Sequence, residues 1–254
     1  MKCNLNNFGG RVLSILFAIF LTACGSGGGG GGGDPTPGGE PPTEAATTYK
    51  MAEYFPLGQG DTWAYTTIEN GVTGSYTRTV NGTQTVNGVE AVKVIEDSGD
   101  YHLMTSDTNG LTEYGDYKIE DWGWYRLAYS PPINYFQNVI SVGTKKTLSS
   151  DTTYTDSNNL STTGTFSVET TVEGVEDATV PAGVFNNCLK IKFIFNVTFW
   201  GGDYTQSGEI IQWLAKGVGI VKGSDNRTVN NHGAISTSTL TGELISATVG
   251  GVSY

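Results

Sequence analysis

The side chains that could carry acid–base chemistry are few. His102 and His232 are the only histidines in 254 residues, so a general base working near neutral pH starts with one of them. His102 falls in a strand-like run between Tyr101 and Leu103, and His232 follows Asn230 and Asn231 in a polar loop. No serine stands in a Gly-x-Ser-x-Gly elbow that would partner either. Cys188 follows a turn, and nothing around it in sequence would lower a thiol pKa. Glu120 and Asp121 are adjacent carboxylates, but neighbours on a strand point to opposite faces and do not flank one glycosidic bond. Asp151, Asp156, Asn158 and Asn159 form one oxygen-rich loop, and Asp107 with Asn109 another. Neither has the spacing of a twelve-residue calcium loop, and turn-forming Asx residues explain both. The expectation is a protein with no catalytic residues, no metal and no cofactor.

Aromatic residues are the other candidates for recognition. Between Asp121 and Phe136 the chain carries Trp122, Trp124, Tyr125, Tyr129, Tyr135 and Phe136 around Pro131-Pro132. Such rings can stack on sugar faces, which would make a glycan-binding or glycan-active surface, or they can form a core wall. On a strand, Trp122 and Trp124 would share one face and Tyr125 the other. Trp63, Tyr65 and Trp213 are large enough to fill the concave side of a curved sheet or to line an apolar ligand site there.

The amino-terminal segment places the protein. Lys2 and Arg11 precede an apolar run from Val12 to Ala23, the length of a signal peptide's central region. The run is shorter than the ~20 residues of a membrane-spanning helix. It ends in Leu21, Thr22, Ala23 and Cys24, which resemble the lipobox of bacterial lipoproteins. That resemblance implies cleavage before Cys24 and attachment of acyl chains such as palmitate, since stable anchoring takes more than one chain. Gly25, where inner-membrane retention usually has aspartate, favours the outer membrane. Residues 1–23 are then a leader, and residues 24–48 a Gly/Pro-rich tether that includes the run Gly27 to Gly33. With ~24 residues the tether spans roughly 27 Å. Residues 49–254 form one domain.

Composition narrows the partners. The chain has 14 Lys plus Arg against 25 Asp plus Glu; without Lys2 and Arg11 the balance is 12 against 25, a net charge of −13. Such a surface repels nucleic acid and suits cations or basic partners. Once the leader is removed and Cys24 acylated, Cys188 is the only thiol, so an internal disulfide and a thiolate cluster are both excluded.

After residue 49 no sustained 3.6-residue repeat occurs. Short alternating runs are punctuated by Asn70-Gly71, Asn81-Gly82, Asn87-Gly88 and Asn109-Gly110, dipeptides suited to type I′ hairpins. Strands are expected at Thr62–Glu69, Ser75–Val80, Val89–Glu96, Asp100–Ser106 and Leu111–Tyr117, then at Cys188–Phe199, Asp203–Leu214, Ile220–Lys222 and Ala234–Val249. In Cys188–Phe199 the residues Leu189, Ile191, Phe193, Phe195, Val197 and Phe199 share a face. The fold class is all-β with little or no helix: one large, strongly curved antiparallel sheet. Open half-barrel, closed barrel and two-sheet sandwich all satisfy the pattern.

Three segments resemble a family of uncharacterised bacterial envelope proteins. Tyr54 to Gly58 with Gly60, Asp61, Thr62, Trp63 and Tyr65 resemble its opening PLxxGxxWxY. Val180 to Gly183 with Phe185 and Cys188 resemble VPAGxFxxC, and Trp213 to Lys222 resemble WxAPGVGLVK, with Lys216 in place of proline. The resemblance implies an architecture similar to the half-barrels of lipoprotein carriers. It also hints at binding; together with the lipobox, the tether and the lack of a catalytic constellation, it leads to the expectation of a non-enzymatic role binding an envelope protein or an apolar ligand.

Overall fold

The computed structural model describes residues 47–254, so the leader, Cys24 and nearly all of the tether lie outside the described residues. The elements run β1 (Thr48–Lys50), α1 (Met51–Tyr54), β2 (Thr62–Glu69), β3 (Val72–Val86), β4 (Val89–Glu96), β5 (Tyr101–Asp107), β6 (Gly110–Glu120) and β7 (Gly123–Phe136). They continue with β8 (Val139–Ser141), β9 (Lys145–Asp156), β10 (Ser161–Val180), β11 (Gly183–Phe199), a 3-10 turn (Trp200–Gly202), β12 (Tyr204–Ala215), β13 (Gly219–Asn231), β14 (Ala234–Val249) and β15 (Val252–Ser253).

Twelve of these strands close into an antiparallel barrel in the order β13-β12-β11-β10-β9-β7-β6-β5-β4-β3-β2-β14, with β14 returning to β13. The last long strand makes the closure. It pairs with β13 from Lys222↔Glu243 to Asn231↔Ala234 and with β2 from Leu240↔Glu69 to Thr248↔Thr62. The sheet is therefore neither an open half-barrel nor a sandwich, and the ring has no free edge to pair with another chain.

Alternation decides what faces inward. On β11 the odd residues Leu189 to Phe199 point into the lumen, opposite Val172, Thr170, Val168 and Phe166 of β10. Thr165, Ser167, Glu169 and Thr171 of β10 and Lys190, Lys192, Asn196 and Thr198 of β11 point outward. A membrane-spanning barrel would carry an apolar band ~25 Å tall there. A ring of twelve strands is wider than the eight-stranded case that side chains just fill. Here Phe136, Phe166, Phe193, Phe195 and Phe199 occupy the wide part of the lumen. Two inward glycines give them room. A Cβ on Gly164 would lie 2.3 Å from the Phe199 ring, and one on Gly208 would lie 2.8 Å from the Phe195 ring.

The two ends differ. One end carries the turns that join β3 to β4, β5 to β6, β10 to β11 and β12 to β13, and the amino-terminal segment closes it. Met51, fully buried, donates its N–H to Asn138 O (2.6 Å), and Gly217 N–H donates to Glu53 O (2.7 Å). The other end carries the turns at 70–71, 97–100, 121–122, 157–160 and 232–233.

Thr62–Glu69, Val89–Glu96 and Ala234–Val249 are strands with the bounds expected from sequence. Asn70-Gly71 and Asn87-Gly88 are turns with both residues at positive φ. Asn81-Gly82 is not a turn: it forms a bulge inside β3, where the register with β4 shifts between Val80 and Thr83. Strand β13 runs on to Asn231, well past the expected stop at Lys222.

Candidate functional site

Strands β3 to β6 direct charges into the lumen alongside apolar groups such as Val80, Val94, Met104 and Leu111. Arg78, Glu96, His102, Glu113, Asp116 and Lys118 occupy inward positions of the β3–β6 wall. His102 is 2 % exposed, Glu113 0 % and Asp116 3 %. The imidazole Nδ1 contacts Asp116 Oδ1 and lies 2.9 Å from Glu113 Oε1, while Nε2 lies 3.8 Å from Glu96 Oε1. Tyr129 donates its hydroxyl to Asp116 Oδ2 and Tyr135 donates to Glu113 Oε2, each at 2.5 Å. Arg78 Nη2 reaches Glu96 at 3.5 Å, and Lys118 Nζ reaches Asp100 at 3.5 Å.

Buried charges persist only when they are paired. Burial opposes the imidazolium, yet the Asp116 carboxylate and the hydrogen bonds His102 donates to Asp116 and Glu113 outweigh it, so the His102 pKa is pushed up to about 10. Burial and the neighbouring Asp116 charge raise Glu113 to about 7. Burial would also raise Asp116, but His102 overrides it and the pKa falls. Glu96 is held well below the usual carboxylate range, because Lys118, His102 and Arg78 outweigh its desolvation. At neutral pH three cations thus face Glu96, Asp116 and a Glu113 near its midpoint.

His102, Glu113 and Asp116 offer donor atoms within 4.8 Å of one another, a set that could hold a metal ion. An ion would first have to displace a proton that both carboxylates stabilise on the imidazole. The ion-pair geometry accounts for the cluster without one.

Next to this network, at the end with the 70–71, 97–100 and 232–233 turns, lies a cavity of about 350 Å³. Glu69, Glu96, Asp97, Asp100 and Asp225 line it, together with Arg227, Tyr76 and Leu240. Glu96 belongs both to the cavity and to the network behind it. Asp225 and Arg227 form its floor, 1 % and 7 % exposed. Arg227 directs Nε and Nη2 at the same oxygen, Asp225 Oδ2, and its guanidinium stands 5.6 Å from the Phe195 ring. Burial raises the Asp225 pKa against the pull of Arg227. A second, apolar cavity at the closed end measures only about 20 Å³, between Phe55, Trp63, Tyr65 and Ile220.

The residues singled out from sequence scatter over the molecule. Trp63 and Tyr65 point inward at the closed end, where Trp63 Nε1–H donates to Val218 O (2.6 Å) and Tyr65 donates to Ile220 O (2.8 Å). Trp213 does not fill the concave side. Its position on β12 faces outward, where Lys190 and Lys222 stand 5.2 and 6.0 Å from its ring and its Nε1–H meets Glu176. Trp122 and Trp124 do not share a face, because Trp122 lies in the turn between β6 and β7. Trp122 stacks on the buried Tyr125 ring at 6.2 Å, whereas Trp124 stacks outside on Tyr117 at 5.6 Å. His232 sits in the β13–β14 turn, 3.8 Å from Asp203. Cys188 is buried, and its thiol is pushed up to about 11 by desolvation. Asp156 Oδ1 accepts the Asn158 and Leu160 N–H groups, and Asp107 Oδ1 accepts that of Asn109, so both oxygen-rich loops use these carboxylates for their own turns.

The charged interior had one sequence signal. Glu96 follows Val92 and Val94, and Glu113 follows Leu111, at the parity of inward apolar residues. Asp225 and Arg227 fall on the same parity as Ile210 and Gly208 across the β12–β13 register.

Residues 133–240 match the DUF3108-like family, a span from the end of β7 to the middle of β14 and less than half of the chain. It takes in the segments at 180–188 and 213–222 but not the one at 54–65. No curated protein matches. Two solved structures are similar in outline. A protein from Bacteroides fragilis, provisionally described as exported and as having a YmcC-like fold, is 17 % identical. The match covers 76 % of this chain and 98 % of that one, with a TM-score of 0.42. A provisionally named lipoprotein from Parabacteroides distasonis is 16 % identical over 77 % of this chain and 99 % of that one, with a TM-score of 0.41.

Proposed function

We propose that the chain is a lipid-anchored envelope protein with a non-enzymatic binding role, held at the outer membrane by acyl chains on Cys24, and that the polar mouth of its barrel is the binding element. The lipobox-like residues Leu21 to Cys24 support the anchor. The contrast between two cavities of the described residues carries the binding reading: the mouth offers about 350 Å³ lined by charges, and an apolar cavity at the closed end about 20 Å³. The smaller volume is on the scale of a single water and has no room for an acyl chain. On this reading the ligand is hydrophilic, or is a hydrophilic part of an envelope protein.

Native mass spectrometry of the mature chain, purified from membranes in detergent, tests both halves. The expected result is a diacyl or triacyl mass increment that Cys24→Ala abolishes, together with retention of a polar molecule. An unacylated mature chain would remove the anchor. Displaceable binding of a fluorescent fatty acid to the barrel would remove the hydrophilic assignment.

A further inference from the structure

We infer that the mouth selects a small ligand bearing a protonated amine, with Asp225 and Glu69 as its principal contacts. This rests on the reading of the mouth as the binding element and adds the charge class of what enters it. Three observations combine.

The first is the oxygen that has no donor. Asp225 lines the cavity with a side chain 1 % exposed; its Oδ1, buried in the wall, makes no hydrogen bond among the described residues, while Oδ2 takes both contacts from Arg227. A buried carboxylate oxygen without a donor is costly, and a ligand N–H that reaches it removes that cost. The second is the balance of the lining. Five carboxylates face one guanidinium there, and that guanidinium is engaged with Asp225. Behind the lining, Arg78 forms an ion pair with Glu96 and Lys118 one with Asp100, each at 3.5 Å. A ligand that brings a positively charged donor offsets the excess of carboxylates in the lining.

The third is spacing. Asp225 on β13 and Glu69 on β2 are both register partners of Leu240 on β14, so they face the cavity from one row, two strands apart. At ~4.8 Å per strand their backbones stand roughly 10 Å apart. Two carboxylates so placed can bracket a small molecule from opposite sides, and Glu69 is close enough to influence the ionisation of Asp225. A volume of about 350 Å³ is that of a small organic molecule and exceeds what one bare ion needs.

Isothermal titration of the full mature chain with 1,4-diaminobutane, 1,4-butanediol and succinate tests this, since the three share a four-carbon frame and differ in charge. The diamine is expected to bind one per chain, with an affinity that falls about tenfold or more in Asp225→Asn and a few-fold in Glu69→Gln. The diol and succinate are expected not to bind. Glu69 is exposed and its replacement leaves the fold intact, so that variant keeps the test decisive where Asp225→Asn fails to fold. Diamine binding that neither substitution weakens would mark general attraction to an acidic surface and overturn the inference. Calcium that expels the diamine from the mouth would also overturn it. Binding of the diol or succinate instead, abolished by Leu240→Trp, would overturn the amine assignment and leave the mouth as the binding element. Silence from all three, with a co-purified molecule whose retention Leu240→Trp does not alter, would sink both.

Discussion

At one end of the barrel Trp63 and Tyr65 give their polar hydrogens to the carbonyls of Val218 and Ile220, and Gly217 gives its own to Glu53. At the other end Asp225 holds a buried oxygen with no donor, and Glu69, Asp97 and Asp100 crowd like charges around open space. The first arrangement satisfies these three groups within the chain; the second leaves Asp225 Oδ1 without a hydrogen bond among the described residues. A closed, satisfied end holds the register of strands that are distant in sequence. An unsatisfied end is where a further molecule lowers the free energy, so the difference separates scaffold from site.

The largest effect should come from breaking the closed end. Trp63→Ala removes a buried ring and its hydrogen bond to Val218, and about 3–5 kcal/mol of stability should disappear from urea unfolding. The network between the two ends comes next. His102→Gln leaves Asp116 and Glu113 buried without their shared cation and should cost about 3 kcal/mol at pH 7, with partial recovery as acid protonates the carboxylates.

The pH profile sharpens the same point. Both His102, at about 10, and Glu113, at about 7, hold protons more tightly in the folded chain than their ordinary values of 6.5 and 4.5. Their contribution to stability is complete below the ordinary values and is lost as pH rises through the folded ones. Melting temperature should therefore decline from about pH 5 to 7 and again from 7 to 10. His102→Gln should flatten the upper decline and spare the closed end. The smallest effect belongs to the mouth: Glu69→Gln should alter stability by no more than about 0.5 kcal/mol while weakening diamine binding. A large loss of stability there would show that the mouth is scaffold after all.

Much of the scaffold could be read from residue order. Alternation in Leu189–Phe199 and the Asn-Gly pairs at 70–71 and 87–88 fix local geometry, and the structure has them where local rules put them. Strand β10 escaped because its inward residues, Phe166, Val168, Thr170 and Val172, are spaced among Thr, Ser and Glu and are too few to stand out. Strand β13 was cut short at Lys222 because polar residues inside a barrel break the apolar alternation by which strands are recognised. The mouth was invisible for the same reason. Glu69, Glu96 and Asp225 belong to three strands, and only closure through β14 brings them together. Aromatic density pointed to 121–136, but a turn at Trp122 and the two faces of β7 divide those rings among core, turn and exterior.

The chain enters the barrel at its closed end, where β1 pairs with β8 and Met51 is fully buried. With lipid on Cys24 as proposed, the tether attaches at the plugged base, and the acidic opening lies at the opposite end of the barrel. Under the proposed function, a ligand of the mouth enters at the end of the barrel opposite the tether, without first partitioning into the membrane.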